Sequence, residues 1–294
     1  MRQVSSIMGR RTFCIGEEWL YFKLYCGSVT ADKILVEVIH PLIQKLIDNK
    51  IIEQWFFIRY QDPNSHLRIR FFSSDKEKIF KVISIFQPVI SKLLKENIIW
   101  KVQTDTYQRE IERYGTQTIE ISERLFFLDS NLIVNFLSYI QGEEGEEIRW
   151  LFGLKIMDSI LTSFQLNRKQ KLAFVEFLRD AFEDEYKMNK TLKRQLNDRY
   201  REKRNLIENF EKSDELRILT PLIAIYEEGV TSIAEEILEY YKAEQPEVTI
   251  DYLISSYIHM TINRLFKSQN RLHEFVSYYF LSKYYKTQLA LLAD

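Results

Sequence analysis

WFFIRYQDPNSHLRIRFF, residues 55–72, is two extended segments flanking a turn. Trp55 to Tyr60 is a run of aromatic and β-branched side chains, the composition that fits a pleated strand. Gln61 to Ser65 supplies turn chemistry, because Pro63 fixes φ while Asp62, Asn64 and Ser65 bond local backbone. From His66 the chain alternates strictly, so His66, Arg68 and Arg70 share one strand face and Leu67, Ile69 and Phe71 the other. A solvated outer sheet face is the ordinary reading of that pattern. Three basic-capable side chains in a row also make it a candidate binding surface.

Upstream, Glu17 to Cys26 reads as a strand with Trp19, Tyr21, Lys23 and Tyr25 on one face. A helix follows with Thr30 as N-cap and apolar residues at helical spacing to Ile47. Downstream, Ser74-Asp75-Lys76-Glu77 reads as a capping box opening a helix to about Asn97, with a kink expected at Pro88. Ile98 to Tyr107 reads as a fourth strand. The order is β-α-β-β-α-β, the ferredoxin-like split arrangement. Leu20, Phe22 and Leu24, with Leu67, Ile69 and Phe71, are expected under the helices. The opposite face then carries Trp19, Tyr21, Lys23 and Tyr25 beside Arg68 and Arg70. A face so rich in rings and guanidinium calls for a cover, either a ligand or the rest of the chain.

Beyond Tyr114 the periodicity is helical, with helices expected at about 117–140, 145–165, 168–185, 187–212, 216–226, 229–243, 249–268 and 270–290. The dense mixed charge of Lys187 to Lys212 reads as an exposed helix laced with salt bridges rather than a nucleic-acid clamp. The fold class is therefore α+β: an N-terminal arm (1–16), a ferredoxin-like sandwich (17–113) and a mostly helical region (114–294) packed as one unit with it.

A net charge of −1 over 294 residues gives no field that would draw nucleic acid or acidic membrane. The two cysteines, Cys14 and Cys26, lack metal or redox spacing, and no signal peptide or spanning run is present, so a cytoplasmic protein is expected. No Walker loop, GxGxxG, HExxH, CxxC or GxSxG occurs. The hairpin lacks the RNP1 pattern of RNA-binding strands.

Four histidines are present. His40 and His66 fit structural roles, and His273 lies in a surface-like helix. His259 shares a helical face with Ser256 and Asn263 in SSYIHMTINRLF, where an i, i+4 Asn fixes an imidazole tautomer. That placement suits a satisfied core histidine or a proton-transfer group. A second polar cluster, TDTYQREIERYG (104–115), sets Arg109 and Arg113 four apart at the junction of the two halves, where pockets form.

Three motifs together, WFFIRYQDPNSHLRIRF, YQREIERYG followed by FLDS at 127–130, and IHMTINRLF, resemble the C-terminal domain of lantibiotic dehydratases. The same domain occurs alone in thiopeptide-type bacteriocin biosynthesis, and the likeness runs from about Glu17 to about Tyr285. It implies elimination of glutamate from glutamylated Ser or Thr of a ribosomal precursor peptide, leader and core, giving dehydroalanine or dehydrobutyrine. It also implies a separate tRNA-dependent glutamylation subunit as partner, with no direct nucleic acid contact and no membrane insertion. By motif the family's elimination residues fall on Arg70, Arg113 and His259, with Arg68, Arg109, Tyr21, Asn263 and Arg264 as substrate-binding neighbours. Because glutamate leaves as a carboxylate, the reaction implied needs no metal or cofactor. The junction reads RYGT where the family commonly has a second glycine, which leaves Arg109 and Arg113 both open as the functional arginine. A related branch, the pyridine synthases, joins two dehydroalanines in a formal [4+2] cycloaddition with loss of water and leader. A non-catalytic precursor-peptide-binding subunit is the third reading.

Overall fold

The computed structural model describes residues 9–140, 144–209 and 217–291. They divide into two compact units, one drawn from Met1–Tyr139 and Glu239–Lys267, the other from Ile140–Leu238 and Ser268–Asp294. The division falls after Tyr139 rather than at 113/114, and the helix at 250–265 belongs with the sheet.

In the first unit β2 (Trp19–Tyr25), β3 (Gln54–Tyr60), β4 (His66–Phe72) and β5 (Lys101–Thr104) form one antiparallel sheet in the order β3-β4-β2-β5. With α1 (Ser28–Ile34), a π-helical turn at Leu35–Ile39, α2 (His40–Asp48) and α3 (Lys76–Lys95), this is the ferredoxin-like arrangement the hairpin predicts. Alternation sends Phe22 and Phe71 onto Phe86 of α3, with ring centroids 5.1 and 5.5 Å away. Local details differ from expectation. The first helix is capped by the Gly27 backbone, so Thr30 lies inside it. Asp75, not Ser74, caps α3 by accepting from the Glu77 N–H, and Ser74 instead donates to Glu53.

The expected fourth strand is broken. Asp105 takes Lys23 as ion-pair partner and accepts from the Thr106 N–H. The chain then leaves the sheet, and Tyr107–Gln108 (β6) pairs with Thr12–Phe13 (β1). Residues 1–8 of the expected arm lie outside the described residues, but residues 10–16 are not loose. Phe13 is fully buried, stacked on Tyr107 and flanked by Arg10 and Arg109 at 4.7 and 4.9 Å. Phe13→Ala is expected to cost about 3–5 kcal/mol, read as a lowered urea midpoint; a change under about 0.5 kcal/mol would restore the loose arm.

The sheet's second face is covered by the chain itself at its Trp19 end. Beyond α4 (Ile111–Tyr114), α5 (Ile119–Tyr139) brings Phe126 onto Phe56. α5 also joins α10 (Ile250–Leu265) in sealing the free edge of β3. Ser130 accepts from the Phe57 N–H, Asn263 bonds both the N–H and the C=O of Arg59, and Arg264 Nε donates to the Phe57 carbonyl at 2.8 Å. An edge strand with unmet backbone groups is a pairing hazard, and these side chains close it. FLDS and TINRLF thus meet across one strand, with Arg264 and Asp129 forming an ion pair without solvent exposure.

The second unit is helical: α6 (Glu144–Ser163), α7 (Arg168–Glu185), α8 (Lys190–Glu208), most of α9 (Thr220–Ala243) and α11 (Asn270–Ala290). A capping box at Asn167 starts α7. Lys171, Asp158 and Tyr285 form a buried polar knot between α7, α6 and α11. The two helices expected at 216–226 and 229–243 are one, because a single Gly229 costs a helix only about 1 kcal/mol. The end of the helix expected at 187–212 lies outside the described residues. No helix among the described residues is long and apolar enough to cross a membrane.

Candidate functional site

Arg70 is the centre of the site. The strand register places it opposite Tyr21 on β2 and Phe56 on β3. Its guanidinium carbon lies 4.3 Å from the Tyr21 ring, 4.8 Å from Tyr107 and 5.1 Å from Phe56. It is only 7% exposed, and among the described residues it makes no hydrogen bond or ion pair, its Nε included. Rings attract a cation but leave its N–H groups unmet, and a buried donor without an acceptor is costly. Burial of Tyr21 raises its phenol above the ordinary value against the pull of the Arg70, Arg68 and Lys23 charges, so the ring stays neutral.

Arg70 opens onto a cleft of about 30 Å³, room for about two waters. Its walls include Phe56, Tyr107, Tyr114, Phe126 and Met260, with Glu110 as a carboxylate. Burial, with the Glu123 carboxylate, holds the Tyr107 phenol well above its ordinary value, so Tyr107 remains a donor to Glu123.

The two arginines of YQREIERYG diverge. Arg109 is 2% exposed and grips Glu123 with two parallel bonds of 2.8 and 2.7 Å, and its Nη1 reaches Glu120 and the Arg10 carbonyl. Arg113, one turn on, has a side chain 30% exposed and donates through Nε to Ser256 Oγ at 3.1 Å, with Glu110 3.6 Å from Nη1. Gly115 follows at φ +75°, and a Cβ there would lie 2.7 Å from Thr118 Oγ1, so ERYG ends α4 on a glycine.

α10 supplies the third part. Ser256 holds Arg113 and Met260 lines the cleft, and half-buried His259 stands three residues after Ser256 and four before Asn263. Asn263 is committed to the Arg59 backbone. Arg264 has 0% exposure, and a side chain without accessible surface does not touch a peptide from solution. Arg264 and Arg109 both stand in interior ion pairs, with Asp129 and Glu123. Arg68 lies beside the cleft, 3.4 Å from the Tyr60 ring, its Nε donating to His66. Sequence reasoning missed Glu110, Tyr107, Tyr114 and Met260. All four lie inside the motifs it quoted, but nothing in their spacing marks a wall residue.

A ferredoxin-like sheet with helices on it, and a buried arginine that makes no hydrogen bond or ion pair among the described residues, define an α+β protein with a candidate site on its sheet face. The chain belongs to the lantibiotic biosynthesis dehydratase C-terminal family, whose pattern matches residues 19–285. It is 34% identical over 130 residues, 44% of its length, to the nisin biosynthesis protein NisB of Lactococcus lactis subsp. lactis, of which it covers 13%. The chain spans 13–25% of the length of the curated relatives it matches. Its fold is similar to the tRNA-dependent lantibiotic dehydratase MibB from Microbispora sp. 107891, with a TM-score of 0.76 at 17% identity over 96% of this chain and 29% of that one. It is also similar to TbtD, the pyridine synthase from thiomuracin biosynthesis, at 0.62 and 13% identity over 92% and 98%.

Proposed function

We propose that this chain eliminates glutamate from glutamylated Ser or Thr of a ribosomal precursor peptide, leaving dehydroalanine or dehydrobutyrine. The observation that carries the reading is Arg70, a guanidinium held among rings with no acceptor for its donors among the described residues. Such a group suits an anion, either the glutamyl carboxylate or the carbonyl oxygen that gains charge as the α-proton leaves. The step breaks the Cα–H and Cβ–O bonds and forms the Cα=Cβ bond, and glutamate departs as a carboxylate. Arg70 and Arg113 bind and stabilise the negative charge, and His259 takes the α-proton as general base. Arg68 and Tyr21 border the substrate on the sheet face. The glutamyl ester comes from a separate tRNA-dependent glutamylation activity, a reading supported by the fold likeness to MibB, a tRNA-dependent lantibiotic dehydratase.

The small cleft has a consequence for binding. A glutamyl group exceeds it, so the walls must move on binding, and Met260, unbranched and adaptable, is the wall residue best suited to do so.

Mass spectrometry of the chain mixed with a Ser-glutamylated peptide tests the reading, and loss of glutamate with a dehydroalanine left behind is expected. The same measurement on a leader peptide carrying two spaced dehydroalanines covers the pyridine synthase branch, favoured by the match to nearly the whole of TbtD. Leader release from that peptide, with no glutamate loss from the first, would transfer the chain to cycloaddition. Binding of both without turnover would make it a peptide-binding subunit.

A further inference from the structure

His66, unused by the mechanism, is one of the most enclosed polar groups on the sheet, at 2% exposure. Its ring lies between Tyr25 and Tyr60, with centroids 4.7 and 5.4 Å away. Nδ1 is 2.8 Å from the Asn64 carbonyl, an atom that only accepts, so Nδ1 carries the proton. Nε2 is then a bare lone pair, and Arg68 Nε donates to it at 3.1 Å. That is the one hydrogen bond Arg68 makes among the described residues, and it occupies Nε alone. Tyr60 flattens the group from above at 3.4 Å. Both terminal nitrogens of Arg68 are left for a ligand, on the strand position next to Arg70 and facing the same side.

We infer that His66 is a positioning residue: its Nδ1–H tautomer, set by the Asn64 carbonyl, aims Arg68 at the anionic substrate and releases it when the imidazole is protonated. The inference rests on the reading of Arg68 as a substrate contact. A charged imidazole has N–H at both nitrogens, so Nε2 would turn from acceptor to donor against a guanidinium that has only donors. The groups facing His66 are Arg68 on its own strand, Tyr25 and Lys23 on β2, Tyr60 on β3 and Asp62 in the turn. Lys23 is paired to Asp105, and Lys101 of β5 lies over Tyr25. Of these residue types histidine is the one that changes charge between about pH 5 and 8. Burial lowers its value, the Asn64 carbonyl opposes that, and the Arg68 and Lys23 charges lower it further. The imidazole thus protonates at a lower pH than an ordinary histidine. Because the unfolded chain takes up the proton first, stability declines as pH falls below about 6.5, and Arg68 alignment is lost at the lower pH where the folded imidazole protonates.

Two readouts test this on the full chain. In ¹H–¹⁵N NMR of histidine-labelled protein, the His66 signal, assigned by its loss in His66→Gln, should show a protonated Nδ1 and a bare Nε2 near neutral pH. The opposite tautomer, or a charged ring there, overturns the inference without reference to activity. Binding of a peptide carrying a glutamyl amide in place of the ester is then measured at about pH 8 and about pH 5, either side of the ordinary histidine value. Wild type should bind about tenfold more weakly at the lower pH, and His66→Leu about tenfold more weakly at both. His66→Gln, whose amide oxygen still accepts but does not titrate, should bind as wild type does at the higher pH and lose the difference. If Arg68→Ala binds like wild type, the reading of Arg68 falls and the inference with it. If Arg68→Ala weakens binding while His66→Leu does not, the substrate contact stands and the positioning role of His66 is refuted.

Discussion

Arg70→Met is expected to lower the rate of glutamate elimination at least 100-fold while leaving the melting temperature unchanged or raised. The kinetic loss follows from removing a preorganised donor set from the place where negative charge develops, worth about 10²–10³ in rate. The stability result follows from the environment. Arg70 is buried among Tyr21, Tyr107 and Phe56, with no hydrogen bond or ion pair among the described residues to offset its desolvation. An unbranched apolar side chain of similar reach keeps the ring contacts and removes the unmet donors, and exchanging a buried charge for an apolar residue is often neutral or stabilising. Cation–π attraction of about 2 kcal/mol offsets part of that gain. Kinetics and a thermal melt on the same preparation check both halves. A variant that loses much stability would show Arg70 to be a structural residue, and one that keeps its rate would remove it from the site.

Arg109→Ala is expected to do the reverse, costing about 3–5 kcal/mol because it strands the Glu123 carboxylate in the interior. Glu123 is held by two Arg109 nitrogens and by the Tyr107 hydroxyl, and its side chain is 3% exposed. A substitution at Arg113, by contrast, meets a part-exposed guanidinium with one hydrogen bond, to Ser256, and a mostly exposed ion-pair partner in Glu110, so Arg113→Ala should change stability by less than about 0.5 kcal/mol. Its cost should fall on elimination, by about 100-fold. Urea unfolding of both variants beside their rates resolves the two arginines that the motif leaves open. Equal stability losses at both positions would contradict the division.

The hairpin at 55–72 made the sheet legible because strict alternation assigns each side chain to a face without knowledge of its neighbours. Arg70, Arg68 and Tyr21 fall on one face in the sequence and in the structure alike. Alternation does not say what lies above a face, so it is silent on the cover at Phe126 and on the lack of a hydrogen-bond partner for Arg70 among the described residues. Arg109 and Arg113 look interchangeable at i, i+4, yet β6 pairs with β1 and draws Arg109 inward over Phe13. That pairing depends on a two-residue strand, too short to leave a periodic signal. Arg264 and Asn263 sit in a motif that reads as a site, and the structure ties both to the edge of β3, some 200 residues earlier in the chain. A motif records that residues matter without recording whether they meet substrate or one another. His259 lies between those two uses on α10, after the serine that holds Arg113 and before the asparagine that closes the edge.

The most direct test of the central claim is a structure of this chain bound to a precursor peptide whose Ser–glutamyl ester is replaced by an amide. The expected result places the glutamyl group or its carbonyl oxygen within hydrogen-bond distance of Arg70, with Arg113 on the same group and His259 facing the α-carbon. A glutamyl group bound elsewhere, with the Arg70 donors still unmet, would contradict the account.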